Sequence, residues 1–122
     1  MVFLAGGFGS MCRYLVGVAA IKTIGPGWPY GTFTVNVVGG LLMGVLAGWL
    51  ALRGGADQER WRILLGVGVL GGFTTFSAFS LETALMIERR DWGTAAGYVA
   101  ASVALAIGAL FLGLLAARRI FA

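Results

Sequence analysis

Four long apolar stretches alternate with short polar or turn-forming ones: Met1 to Ile21, Tyr30 to Leu52, Ile63 to Ile87 and Gly93 to Ala117. At ~1.5 Å of rise per residue, each as a helix is long enough to cross a hydrocarbon core of ~30 Å. The punctuation between them is chemically distinct. Lys22 ends the first stretch, and Gly25-Pro26-Gly27 with Pro29 turns the chain. Arg53-Gly54-Gly55 closes the second, and a short charged link, Ala56 to Arg62, leads into the third. Glu88-Arg89-Arg90-Asp91 separates the third from the fourth, which gives way to Arg118 and Arg119. Trp28, Trp49, Trp61 and Trp92 fall close to the expected helix ends, as residues of an aromatic belt do. The pattern predicts an all-α membrane protein of four transmembrane helices forming one domain over residues 1–122.

The third stretch departs from a plain lipid-spanning helix. Its centre reads Gly71-Gly72-Phe73-Thr74-Thr75-Phe76-Ser77-Ala78-Phe79-Ser80, glycines and hydroxyls where Leu, Ile and Val would be ordinary. A glycine pair is where a helix unwinds at least cost. Backbone unwound at membrane depth must be buried in protein or line a watery cavity, because lipid offers it no partner. A broken helix also frees carbonyls on one side and amides on the other, which suits ions of both signs. A broken third helix is therefore expected, with the break at Gly71-Gly72.

Composition narrows the chemistry. The chain is 59% apolar and four spans use nearly all of its 122 residues, which leaves no separate soluble domain or nucleotide fold. Histidine is absent, so a histidine relay or metal site is excluded. The lone cysteine, Cys12, has no partner for an internal disulfide and reads as a small apolar residue. The first stretch lacks a basic leader and a cleavage site, and is expected to be a retained helix. The net charge of +4 comes from cations near segment ends, which fits a membrane protein rather than nucleic acid. Arg13 apart, Arg53, Arg60, Arg62, Arg118 and Arg119 share one side of the membrane, against Lys22, Arg89 and Arg90 on the other. So weak a bias admits either an ordinary single topology or insertion both ways, and the latter would allow an antiparallel homodimer.

Glycine is abundant, with 21 copies. Gly40, Gly44 and Gly48 recur on one face of the second stretch in line with Asn36, and Gly68 and Gly72 repeat the spacing in the third. Such stripes mark close helix packing. Few polar side chains remain. Arg13 should face protein or water, or else snorkel to the interface. Asn36 can donate to an anion or to a neighbouring helix. Phe76 and Phe79, three apart, are expected on one helical face, where the positive ring edges could solvate a small anion. Thr74, Thr75, Ser77 and Ser80 add donors beside them, and Tyr98 and Ser102 form a second set four residues apart in the fourth stretch. Glu82 is the only acid well inside a span, placed to pair with a cation or to reach the interface.

These residues carry a resemblance. Gly6-Gly7 with Arg13-Tyr14, Gly31-Thr32 with Val35-Asn36 and Gly39, and Gly71 to Phe79 follow in the motif order of the Fluc, or CrcB, family of fluoride channels, which the chain resembles over its whole length. The resemblance implies an antiparallel homodimer in the cell's inner membrane with two separate fluoride pores. By the same resemblance Phe76 and Phe79 match the pore phenylalanines and Asn36 the pore asparagine. Gly71 and Thr74 match positions whose backbone carbonyls hold a structural sodium ion, and Tyr98 and Ser102 match a polar track. Ala106 stands where a further hydroxyl of that track is expected, and Ala78 replaces a frequent threonine.

The expectation is a passive fluoride channel, with Asn36, Thr75, Ser77, Phe76, Phe79, Tyr98 and Ser102 along the pore and Arg13 as a vestibule or structural charge. Lipid, fluoride, sodium and a second copy are its expected partners, and nucleic acid is not. No nucleophile–base pair, metal cluster or phosphate loop suggests an enzyme. The rival is a small multidrug transporter, which exchanges protons through a glutamate in its first helix, but the first stretch here has no acid. A non-transporting assembly subunit would explain the glycine stripes but not the hydroxyls and phenylalanines.

Overall fold

The computed structural model describes residues 1–122, helical nearly throughout and without strands. Helix α1 spans Val2–Thr23 and α2 spans Tyr30–Arg53. The third span starts with a 3-10 turn, Gly55–Asp57, and the short α3, Gln58–Trp61. It continues as a π-helical segment, Arg62–Leu70, and its first half closes with α4, Gly71–Phe73. Beyond residues 74–76 the second half is α5, Ser77–Glu88, and α6 runs from Trp92 to Phe121. Four helical stretches are long and apolar enough to cross a membrane, the third of them interrupted. The protein is an all-α, multi-pass membrane protein.

Three details differ from the pattern in the sequence. The stretch from Ala56 to Arg62 is helical rather than a loop, so α2 passes almost directly into the third span. The break falls after Phe73, because Gly71 and Gly72 stay helical and Thr74 is the first extended residue (φ −86°, ψ 163°). Trp28 is not a lipid-facing belt residue; its ring packs edge-on against Tyr98 at 5.0 Å and against Phe33 at 5.2 Å between centroids.

Packing follows the small residues. The face of α2 that carries Gly40, Gly44 and Gly48 lies against α6. A methyl group at Gly40 would stand 2.6 Å from the Ala106 carbonyl, and one at Gly44 would overlap the carbonyl of Leu110. Asn36 sits one turn before this stripe on the same face, which carries it past the seam to the break. Helix α1 meets the first half of the third span in the same way: Gly68 lies against Ala5, and a side chain at Gly72 would strike the backbone of Gly6. Small residues let these backbones approach, so dispersion and weak polar contacts act where lipid provides no hydrophobic drive. Bulky side chains consequently turn outward, as Phe3, Leu4, Phe8, Met11 and Leu15 of α1 do.

Gly44→Val should therefore push α2 off α6 and cost about 1–3 kcal/mol, as overpacking does. Gly108→Ala, where nothing lies within 4 Å of the added methyl, should leave stability unchanged. Thermal unfolding in detergent compares the two, and equal midpoints would refute the seam.

Candidate functional site

The break is held open by side chains from two other helices. Asn36 of α2 grips the Thr75 peptide from both sides: its Oδ1 accepts from the Thr75 N–H at 2.8 Å, and its Nδ2 donates to the Thr75 carbonyl at 2.9 Å. That bond takes the amide which would have continued the helix. Both the N–H and the hydroxyl of Thr74 donate to the Leu70 carbonyl, each at 3.0 Å, and finish the first half. The hydroxyl of Thr75 accepts from the Ala78 N–H at 3.1 Å and starts α5 as an N-terminal cap would. From α1, Arg13 Nε donates to the Gly72 carbonyl at 3.2 Å, so the arginine faces protein and does not snorkel. The carbonyls of Gly71 and Thr74 accept no hydrogen bond.

Phe76 caps the start of α5 with helical backbone angles, and its carbonyl accepts from the Ser80 N–H at 2.8 Å, so it lies one turn before Phe79 on the same side, as the spacing predicts. The two rings are in contact, with centroids 5.6 Å apart and planes tilted by 46°. Phe79 then reaches Tyr98 at 5.1 Å. Phe76 is 77% exposed at the surface of the single chain. Asn36, Thr75, Phe76, Phe79 and Ser102 line one cavity of about 240 Å³, joined by Thr74, Val103 and Ala106. Its walls carry an amide, hydroxyls and two phenylalanines, and no charged side chain. Ala106 contributes a methyl to this lining where a hydroxyl was expected.

Ser77 and Tyr98 stand outside that lining. Ser77 lies within 3.3 Å of the Thr75 hydroxyl at the start of α5. Tyr98 is 0% exposed, and its hydroxyl and that of Ser102 are buried without a hydrogen-bond partner. Orphaned buried donors are rare and call for a ligand, ion or water. Glu82 is half-buried, and its Oε1 is also unpartnered. It neither pairs with a cation nor reaches solvent freely, but faces Thr32 and Tyr98.

Sequence reasoning did not single out Thr32 as a site residue. It lines two cavities, one of about 370 Å³ shared with Arg13, Tyr14 and Thr75, and one of about 300 Å³ shared with Glu82 and Trp28. The signal was its place in Gly31-Thr32, early in α2 and five residues before Val37, but no periodicity distinguishes it from a helix-facing threonine. No group of His, Cys, Asp or Glu could hold a metal, so the free carbonyls are the cation-binding groups on offer.

Comparison with known proteins places the chain in a family. The family described as "CrcB-like protein, Camphor Resistance (CrcB)" matches residues 1–114. A protein of Caulobacter vibrioides (strain NA1000 / CB15N) named "Fluoride-specific ion channel FluC" is 68% identical over 122 residues, covering 100% of this chain and 96% of that protein. Proteins of the same name from Phenylobacterium zucineum (strain HLK1) and Hyphomonas neptunium (strain ATCC 15444) are 66% and 53% identical, again over 100% of this chain and 96% of theirs. With nearly the whole chain matched by the family and full-length relatives at this identity, the protein belongs to the CrcB-like family.

Proposed function

We propose that this chain is a fluoride-selective channel of the cell membrane, not an enzyme, through which fluoride leaves the cell passively. The observation that carries the reading is the cavity at the break, where neutral donors and tilted phenylalanine rings stand together and no acid intrudes. Fluoride is small and strongly hydrated, so a pore must replace its water shell. Asn36 and the hydroxyls of Thr75, Ser77, Tyr98 and Ser102 can donate in turn, and the ring edges of Phe76 and Phe79 add weak positive potential. Several weak sites in series let an ion enter and leave, whereas one deep site would trap it. Arg13, with the rest of its guanidinium beside a cavity of about 370 Å³, supplies positive field on the approach. The proton-coupled transporter reading has no support, since α1 carries no acid and the relatives are named as ion channels.

The working unit in this reading is an antiparallel homodimer. Gly71 is exposed on the chain, and at membrane depth its free carbonyl needs a partner that lipid cannot give. The exposed Phe76, next to the cavity at the break, offers a ring that a second copy could share. A sodium ion fits this place. The unbonded carbonyls of Gly71 and Thr74 are hard oxygen donors, and two copies would double their number. Bound there, sodium would tie the broken spans together as a structural ion and lend positive field to the pores.

Liposomes holding the purified protein should release fluoride far faster than chloride, and no fluoride preference would overturn the reading. In the same assay Phe76→Ile and Phe79→Ile should each slow fluoride release at least tenfold while the dimer still forms; wild-type flux in both would return the rings to packing.

The dimer is tested by accessibility. Tags at either terminus, in a preparation that conducts fluoride, should be reached from both sides of the membrane. A single orientation would rule out the antiparallel form.

Replacing sodium by a large organic cation should loosen the dimer and lower fluoride flux without sodium itself being transported. Gly71→Leu should abolish that sodium dependence, and Thr74→Ser should preserve it because the serine hydroxyl can keep the bond to Leu70. Identical flux and dimer stability in both salts would remove the ion from the account.

A further inference from the structure

Away from the break, α2, the π-helical segment and the end of α6 enclose a groove of about 470 Å³ whose eight lining residues are all apolar. Leu42, Val45 and Trp49 form one wall, Leu65 and Val69 the other, and Phe121 closes the end. That end is unusually basic. Arg53 Nε donates to the Phe121 carbonyl at 2.8 Å, and the guanidinium stands over the Phe121 ring at 5.9 Å, so cation and groove wall are one unit. Arg118 and Arg119 lie in the last turn of α6, and Arg60 lies on α3 at the same end. Of the acids there, Glu59 is engaged by Arg62 and only Asp57 remains, so Arg53, Arg60, Arg118 and Arg119 have no ion-pair partner.

We propose that this groove binds an anionic phospholipid, with an acyl chain along Leu42, Val45, Trp49 and Val69 and the headgroup phosphate on Arg53, Arg118 and Arg119. The charges favour this occupant over a second copy of the chain. A copy placed parallel would bring the same cations against themselves. A copy placed antiparallel would bring Lys22, Glu88, Arg89, Arg90 and Asp91 against these arginines, a set that is also net positive. A zwitterionic lipid fills the groove equally well but leaves the arginines without net compensation. An anionic headgroup satisfies them and gains favourable interaction from each. The site is separate from the cavity at the break, and its occupancy does not depend on what the channel conducts.

Trp49 in the groove wall reports on the occupant. In a Trp28→Phe/Trp61→Phe/Trp92→Phe variant, reconstituted into phosphatidylcholine vesicles, added phosphatidylglycerol with brominated acyl chains should quench Trp49 saturably at low mole fraction. Brominated phosphatidylcholine should quench only in proportion to its amount. Arg118→Gln or Arg119→Gln should weaken the apparent affinity for the anionic lipid roughly fivefold each, and Arg89→Gln/Arg90→Gln at the other end should change nothing. Equal quenching by both lipids would mean ordinary annular lipid, and no quenching by either would mean that a second copy covers the groove; each overturns the proposal. Because Trp28 packs on Tyr98, native mass spectrometry of the wild-type protein gives an independent reading. Extracted from equimolar vesicles, it should retain phosphatidylglycerol over phosphatidylcholine and lose that preference in Arg118→Gln/Arg119→Gln. Equal retention would refute the site.

Discussion

Backbone that leaves helical geometry inside a bilayer has no water to fall back on, and the arrangement of this protein depends on how that need is met. Asn36 satisfies both polar groups of the Thr75 peptide, and Arg13 takes the Gly72 carbonyl. These side chains come from helices on either side of the break. They can reach it only because α1 and α2 lie close to the third span. Without them the cheaper arrangement for residues 74–76 would be a continuous helix, with every amide bonded four residues back. The break is thus a property of three spans acting together.

Close approach in turn depends on where side chains are missing. Gly72 against Gly6, and Gly44 against Leu110, bring backbones nearer than any residue with a Cβ would allow. The seams are polar-free and thin, so a large side chain in a seam displaces a whole helix. That rigidity matters for the site. Asn36 lies one turn before the stripe that fixes α2 on α6, and Ser102 lies on α6 one turn before Ala106. The distance across the cavity is therefore set by glycine–carbonyl contacts elsewhere in the seam, and the donors are held in place before any ion arrives.

What the break leaves unsatisfied is as informative as what it satisfies. The hydroxyls of Tyr98 and Ser102 are buried without partners, and the carbonyls of Gly71 and Thr74 accept nothing. Donors without acceptors suit an anion, and oxygens without donors suit a cation. Ser102 and Thr74 border the same cavity, Tyr98 stands outside its lining, and Gly71 is exposed on the chain. The free carbonyls come from the split itself, since its first half ends in them, whereas the free hydroxyls come from α6.

The linear pattern alone determined the number of spans, their order and the seams, because hydropathy over a span's length and a four-residue glycine repeat are local properties of the chain. It also marked the third span as irregular, since hydroxyls at membrane depth are conspicuous one by one. It misplaced the break by three residues. Glycine content says where a helix unwinds cheaply, but here the helix ends where Asn36, 39 residues away, competes for the next amide. Arg13 shows the same limit: its position admitted packing or snorkelling, and only the approach of α1 to Gly72 decided between them. Trp28 lay near a helix end, as a belt residue does, and nothing in the chain marked that the turn after α1 sets its ring against Tyr98. Phe76 and Phe79 had the spacing of a helical pair, and their rings do meet at the start of α5, but the contact of Phe79 with Tyr98 had no sign in the chain. Contacts between residues far apart in the chain leave no periodic trace in either partner, so the site's geometry became visible only when the helices were packed.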